Sequence, residues 1–270
     1  MEKASGQEAL SYDATFYGEI AGGSHRSATI VLPIVFRTFV NGGGPTSVVD
    51  VGCGVGTWLR AASELGVTDV QGIDGDHVPM HLLEIDPCQF TQRDLRQATP
   101  TPTRRFDLAL SLEVAEHLPH DRAGAFVAEL CALADVVLFS AAIPGQGGQD
   151  HINEEWPTVW AARFAIHGYS TFDVVRPAVW GNEHVEYWYK QNALLYIADE
   201  RTDLVGAASK MIGSANQAPL NLVHPIAWTR LSRSWNAATR SQPGVRLAAS
   251  RLASAVRVAV TTRWSGARRG

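Results

Sequence analysis

The sequence predicts an α/β protein: a doubly wound parallel sheet with helices on both faces, followed by a basic, partly helical appendage. Three observations lead there. Apolar, β-rich runs alternate with helical patterns through the first 200 residues, the order that builds such a sheet. A glycine-rich segment, Gly52 to Gly56, joins the first of these runs to a helix. The charge also changes sign along the chain. Residues 1–203 carry 13 basic and 27 acidic side chains, whereas 204–270 carry ten basic and no acidic ones. The net charge of -4 therefore divides into a body of -14 and a tail of +10, with a boundary expected at 203/204.

Taken in order, the expected strands are Ser47–Val51, Asp69–Ile73, Gln89–Gln92, Phe106–Ser111, Val136–Ala141, Thr171–Val175 and Ala193–Ala198. Between them the pattern predicts helices at Ser27–Phe39, Val55–Leu65, Arg122–Leu133 and Pro157–His167. Pro157 suits a first helical turn, where its missing N–H costs nothing. After Asp203 the alternation fades into an Ala-, Ser- and Arg-rich stretch.

Composition excludes several classes. With 46% hydrophobic and 19% charged residues the chain can fill a core, which argues against wholesale disorder. Cys53, Cys88 and Cys131 form no CxxC pair, so neither a disulfide framework nor a thiolate zinc site is indicated. The polar N-terminus lacks the apolar core of a signal peptide, and the longest apolar runs are too short or interrupted to span a bilayer. A cytoplasmic protein is the expectation, with membrane contact at most peripheral.

The most informative segment is Val48-Val-Asp-Val-Gly-Cys-Gly-Val-Gly56. Glycines here let the backbone turn tightly and approach a ligand, while the N–H groups of the following helix face it. Asp74 ends the second strand 22 residues after Gly52, where an acid can accept hydrogen bonds from ribose hydroxyls. Strand, glycine loop, helix, strand and acid at this spacing resemble motif I of the class I S-adenosylmethionine-dependent methyltransferases. Asp50, Gly52, Gly54 and Gly56 match that family's (D/E)xGxGxG loop. Dinucleotide dehydrogenases, with GxGxxG and no leading acid, are the lesser reading.

The resemblance covers about residues 45–200 and implies a Rossmann-like sheet of seven strands with the last antiparallel. Ala193–Ala198 is the natural seventh. It also implies that S-adenosylmethionine is held by Asp50, Gly52, Gly54, Gly56, Asp74 and Asp94, the last in an Arg-Asp-Leu tripeptide at the adenine. Loop capping is the structural alternative for the three acids. An acidic lining also suits a sulfonium cation.

After the fourth strand comes Glu113-Val-Ala-Glu116-His117, whose i, i+3, i+4 spacing would put three side chains on one side of a helical turn. Asp150-His151 follows the fifth strand in a glycine-rich loop, expected at the same sheet edge. Two glutamates and two imidazoles can hold Mg²⁺ or Mn²⁺. This layout resembles the metal site of the small-RNA 3′-terminal 2′-O-methyltransferases. That resemblance implies Glu113, Glu116, His117 and His151 as ligands, with Glu116, His117 and His151 serving catalysis. Two other readings stand beside it: metal-free acid–base use of His117 or His151, and purely structural roles. The segments Gln146–Trp160 and Val185–Asn192 are similar to bacterial methyltransferases of small or carbohydrate substrates, and the -14 body is a poor surface for RNA.

The leading expectation is O-methylation of a small hydroxylated acceptor, a sugar or glycan. RNA ribose methylation and a non-catalytic cofactor-binding module are the alternatives. Seven of eight tryptophans lie beyond residue 155 and, with Tyr187 and Tyr189, can either wall the cleft or fill the core. Phe16, Tyr17, Ser24 and His25 are candidates for a cap over the cofactor. In the tail, Val245–Val260 has helical propensity and a ragged arginine stripe. A solvated or self-docked tail, an anionic membrane surface, and a phosphate-bearing partner all fit it.

Overall fold

The computed structural model describes residues 14–39, 43–98, 102–213 and 219–241. Seven strands form one sheet: β1 (Ser47–Val51), β2 (Asp69–Asp74), β3 (Phe90–Gln92), β4 (Leu108–Leu112), β5 (Val136–Ser140), β6 (Tyr169–Phe172) and β7 (Leu194–Ala198). Their spatial order is β3-β2-β1-β4-β5-β7-β6. Neighbours from β3 through β5 pair in parallel, whereas β7 runs antiparallel to both β5 and β6. The seventh strand is reversed, as the family resemblance implies, and enters between the fifth and sixth.

Alternation along the strands sorts the core into two faces. Val48, Leu108, Leu110, Val136, Leu138 and Leu195 join one apolar cluster, and Val49, Ala109, Val137, Phe139, Leu194 and Tyr196 join the other. On the first side lie α1 (Ala14–Phe36) and α2 (Thr57–Glu64), contributing Val31, Leu32 and Leu59. On the second lie α3 (Ala123–Leu133) and α4 (Pro157–Ile166), contributing Phe126, Leu130, Trp160 and Phe164. Two short helices, α5 (Arg176–Val179) and α6 (Tyr187–Asn192), fill the crossover from β6 to β7.

The chain departs from β1 toward β2 and β3 on one side, and β4 opens the other side. The crevice at the carboxyl ends of β1 and β4 is therefore a topological switch point, where open α/β sheets bind ligands.

Helix α7 (Thr202–Ile212) moves the expected boundary. Leu204 and Ala208 are buried in the same core as α1 and α2. By packing, the chain divides into Met1–His224 and Pro225–Gly270, so a cut at 203/204 falls inside the first turn of a core helix. The charge changes sign earlier than the packing does, because the exposed side of α7 carries Lys210 while Leu204 and Ala208 on its buried side pack into the core. The second unit contains α8 (Pro225–Ser241), and Val245–Val260 lies outside the described residues. No helix among the described residues is long and apolar enough to cross a membrane.

Candidate active site

The loop from β1 to α2 is made of backbone. Gly52, Gly54 and Gly56 have φ of +87°, +54° and +88°, values that side chains disfavour and glycine tolerates. The Gly52 N–H donates to the Ile73 carbonyl at 2.7 Å, and the Gly54 N–H donates to Asp74 Oδ2 at 2.6 Å. Asp74 Oδ1 accepts from the Gly75 N–H, also at 2.6 Å. Asp74 therefore fastens the loop, and with about four lone-pair sites on a carboxylate it retains capacity for a ribose. A Cβ on Gly52 would lie 2.2 Å from the Val114 side chain, so the chain leaving β4 presses on the glycine loop.

Asp50 is buried between Gly72 of β2 and Leu110 of β4. Burial, then the charge of Asp74, pushes its carboxyl well above the usual range. Burial also raises Asp74, against the lowering effect of its two N–H donors. Asp94 is different. Its Oδ1 accepts from Arg96 N and Nε at 3.0 and 2.8 Å, and its Oδ2 accepts from Arg96 Nη2 and Gln97 Nε2 at 3.1 and 3.2 Å. The Arg96 hydrogen bond leads in holding this carboxyl below its ordinary pKa. With four donors already on it, an adenine amino group would have to displace Arg96 or Gln97.

Across the crevice the site is made of side chains. Glu113 follows β4 with φ +56°, a rare left-handed conformation for a residue with a side chain. Its N–H donates to both the carbonyl and Oγ of Ser140, at 3.0 and 3.1 Å, which holds the bend. The next turn, Ala115–His117, is a 3₁₀ turn. The expected α-helical face bearing Glu113, Glu116 and His117 is thus replaced by a left-handed bend and a tight turn. Glu113 accepts instead from Asn192 Nδ2, at 3.1 and 3.3 Å, and from Gln146 Nε2 at 3.1 Å. Burial raises its carboxyl and these amides oppose the rise.

Glu116 is fully buried. Its Oε1 accepts from the Ala142 N–H at 3.1 Å, while its Oε2 and His117 Nδ1 are buried without a hydrogen-bond partner. Burial, then the neighbouring Glu113, drives the Glu116 carboxyl well up. Burial, then His151, lowers His117. The two imidazoles lie 4.8 Å apart, nearly perpendicular. Atoms of ligand type from Glu116, His117 and His151 all fall within 4.8 Å of one another. Three of the four expected ligands converge, and Glu113 stands beside them tied to Asn192 and Gln146.

Sequence reasoning singled out Gln146–Trp160 and Val185–Asn192 as segments but did not assign Glu154, Gln146 or Asn192 their part in organising this cluster. Glu154 Oε1 lies 3.0 Å from His151 Nδ1 and accepts from the Gly147 N–H at 2.8 Å, while its Oε2 accepts from the Gly145 N–H at 2.7 Å. It orients His151 through Nδ1 and leaves Nε2 for another partner. The same loop is stapled to the 3₁₀ turn, because the Ile152 and Asn153 N–H groups both donate to the Glu116 carbonyl, at 2.9 and 3.0 Å. Helix α6 brings Asn192 to Glu113, and Gln191 to Gln146 at 2.8 Å. It also brings Tyr189, whose hydroxyl meets Trp58 Nε1 at 3.3 Å and Ser24 Oγ at 3.2 Å.

The aromatic residues divide between core and surface. Trp160 is core, against Phe139, and Trp180 packs beside His224. Trp228 and Trp235 are exposed on α8. Ser24 points inward to Tyr189, whereas His25 pairs outward with Glu64 at 2.8 Å. The side chains of Phe16 and Tyr17 lie outside the described residues, as does Trp264.

With this geometry in place, comparison with known proteins decides the family: the profile described as "Methyltransferase domain" matches residues 25–174. The chain belongs to the methyltransferase family. A ribosomal RNA large subunit methyltransferase E from a Caulobacter species is 42% identical over 55 residues, spanning 19% of this chain and 23% of that protein. The methyltransferase therefore covers under a quarter of the relative's length in that match. Among solved structures, a sugar N-methyltransferase from a Streptoalloteichus species superposes with a TM-score of 0.53 at 14% identity, over 73% of this chain and 99% of that one. An amino pentose methyltransferase from Micromonospora echinaspora does so with 0.50 at 16%, over 71% and 99%. At these identities the likeness is one of fold.

Proposed function

We propose that this methyltransferase transfers a methyl group to a hydroxyl of a small molecule, a sugar or glycan, with the acceptor organised by a divalent cation such as Mg²⁺ or Mn²⁺. One observation carries the reading. Glu116, His117 and His151 converge at the switch point, with Glu116 Oε2 and His117 Nδ1 buried and unpartnered. Buried polar atoms ordinarily find partners, so two orphans in one cluster of carboxylate and imidazole donors fit a divalent cation. When bound, the ion would supply a Lewis acid that lowers the pKa of an alcohol. An amine needs no such help to be nucleophilic, which is why a hydroxyl acceptor is the better match.

The chain's own residues do the rest. The glycine loop and Asp74 hold the cofactor with its methyl toward the β4 edge. Asp50, Gly52, Gly54 and Gly56 shape that loop, and Asp94 borders the adenine side. Glu154 fixes the His151 ring, and Asn192 with Gln146 fixes Glu113 at the border of the cluster. Acceptor oxygen, methyl carbon and sulfur must lie in line, an alignment worth several kcal/mol. The oxygen–carbon bond forms as the carbon–sulfur bond breaks, and the acceptor proton passes to the cluster or to water. Two proteins of like fold are named for sugar acceptors, and we carry that class over as part of this proposal.

The test is transfer of labelled methyl from S-adenosylmethionine to a panel of free sugars, glycans and RNA 3′ ends, with Mg²⁺, with Mn²⁺ and with chelator. Cation-dependent label in a sugar or glycan is the expected result. Full activity in chelator overturns the role of the ion, and label in RNA alone overturns the acceptor. Saturable cofactor binding with no transfer to any acceptor would mean a non-catalytic module.

A further inference from the structure

Helix α8 has two unlike sides. At about 100° per residue, Trp228, Leu231 and Trp235 fall within roughly 60° of one another, while Arg230 and Arg233 lie about 140–160° from Trp228. The stripe is solvent-facing: Trp228 and Trp235 are each 62% exposed and Leu231 is 44% exposed. Polar side chains on the helix turn back onto its own backbone. Thr229 Oγ1 donates to the Pro225 carbonyl, Ser232 Oγ to Thr229 and Ser234 Oγ to Arg230. From Pro225 to the last residue the chain has nine arginines and no acid.

We propose that α8 is an in-plane anchor that seats this methyltransferase on an anionic lipid bilayer, with Trp228, Leu231 and Trp235 entering the headgroup–acyl boundary. Two tryptophans and a leucine on one side with arginines on the other is the composition of an interfacial helix, and tryptophan prefers that boundary. Charge complementarity selects the surface, because nine cationic side chains gain from anionic headgroups. The rest of the chain, -13 over residues 1–224, is repelled by the same surface and would stay in the water above it. Single-stranded nucleic acid is a poorer match, since stacking and phosphate binding need aromatic and cationic groups along one groove, and here they are on opposite sides. A second copy is poorer still, because pairing would bring two sets of nine arginines together with no acid in either.

The experiment uses the full chain with phosphatidylcholine vesicles, alone and mixed with an equal part of phosphatidylglycerol. Co-sedimentation with the mixed vesicles, weakened by salt and nearly absent with phosphatidylcholine alone, is expected. The double variant Trp228→Ser, Trp235→Ser should lose about tenfold or more in partitioning, with cofactor affinity unchanged. Without any variant, brominated lipids in the mixed vesicles should quench tryptophan emission of the native chain. Absence of sedimentation and quenching overturns the proposal. So does undiminished binding by the folded double variant, which would mean that charge alone suffices. A dimer that becomes monomeric in the double variant, or displacement from vesicles by a single-stranded RNA that binds less tightly to that variant, would assign the face to those partners instead.

Discussion

The two walls of the crevice are built from different materials. The β1 wall is backbone: three left-handed glycines, N–H groups and one fastening carboxylate, all within residues 50–75. The β4 wall is side chain: one buried and one half-buried glutamate, two imidazoles and their amide and carboxylate supports, drawn from residues 113–117, 146–154 and 189–192. A backbone cradle tolerates little change in chain path but does not depend on side-chain partners. A side-chain cluster depends on every supporting contact, and each can be removed separately. The contrast sets an order of fragility.

The largest effect is expected at the contact between the walls. Gly52→Ala places a Cβ 2.2 Å from Val114 at a φ of +87°. Strain and overpacking together should cost about 4 kcal/mol in cofactor binding, near a thousandfold, by titration calorimetry. Adding Val114→Ala should restore part of it; no recovery would show that φ alone is responsible. On the other wall, His151→Ala should reduce Mn²⁺ affinity at least a hundredfold while leaving cofactor affinity within about twofold. Equal loss of both ligands would mean the walls are not separable.

A smaller change separates the cluster from its support. Glu154→Gln keeps one acceptor for the two glycine N–H groups but loses the charge beside His151, and about a tenfold loss of Mn²⁺ affinity is expected. Unaltered affinity would reduce Glu154 to a loop fastener. The smallest effect concerns Asp50. Its carboxyl is raised by burial and by Asp74, so between the ordinary aspartate pKa and the raised one the native state keeps a proton that the unfolded chain has released. The stability from this group is full below the ordinary aspartate pKa and is lost as pH rises toward the raised value. Asp50→Asn should flatten that fall, with a gain on the order of 1 kcal/mol in the ligand-free protein near neutral pH. Denaturant melts at several pH values would read it, and parallel curves for both proteins would sink the argument.

The legibility of each wall follows its material. The glycine spacing and Asp74 mark the β1 wall in sequence, because left-handed turns favour glycine. Strand alternation likewise gave seven strands near their observed places, and the reversed β7 came with the family resemblance. The β4 wall was half legible. Glu116, His117 and His151 stand at the ends of adjacent strands, as two acid- and histidine-bearing segments after consecutive strands suggest. Glu113 lies against Glu116 but is held from elsewhere, since Ser140 bends the chain at φ +56° and its carboxylate accepts from Asn192, a partner 79 residues away that no local spacing announces. Asp94 was read from a tripeptide, and the structure has its carboxylate already engaged with Arg96 and Gln97.

By itself the sequence determined the alternating core, the glycine loop, the family and the split between acidic body and basic tail. These features arise from local backbone demands and from solvent, and they act at short range along the chain. The tertiary structure alone decided that α7 packs on the sheet, that Glu154 holds His151, and that Glu113, beside Glu116, is held by an amide network. Each depends on contacts between side chains far apart in sequence. Burial there makes an unpaired carboxylate costly, so whichever partner the fold supplies determines where the group points.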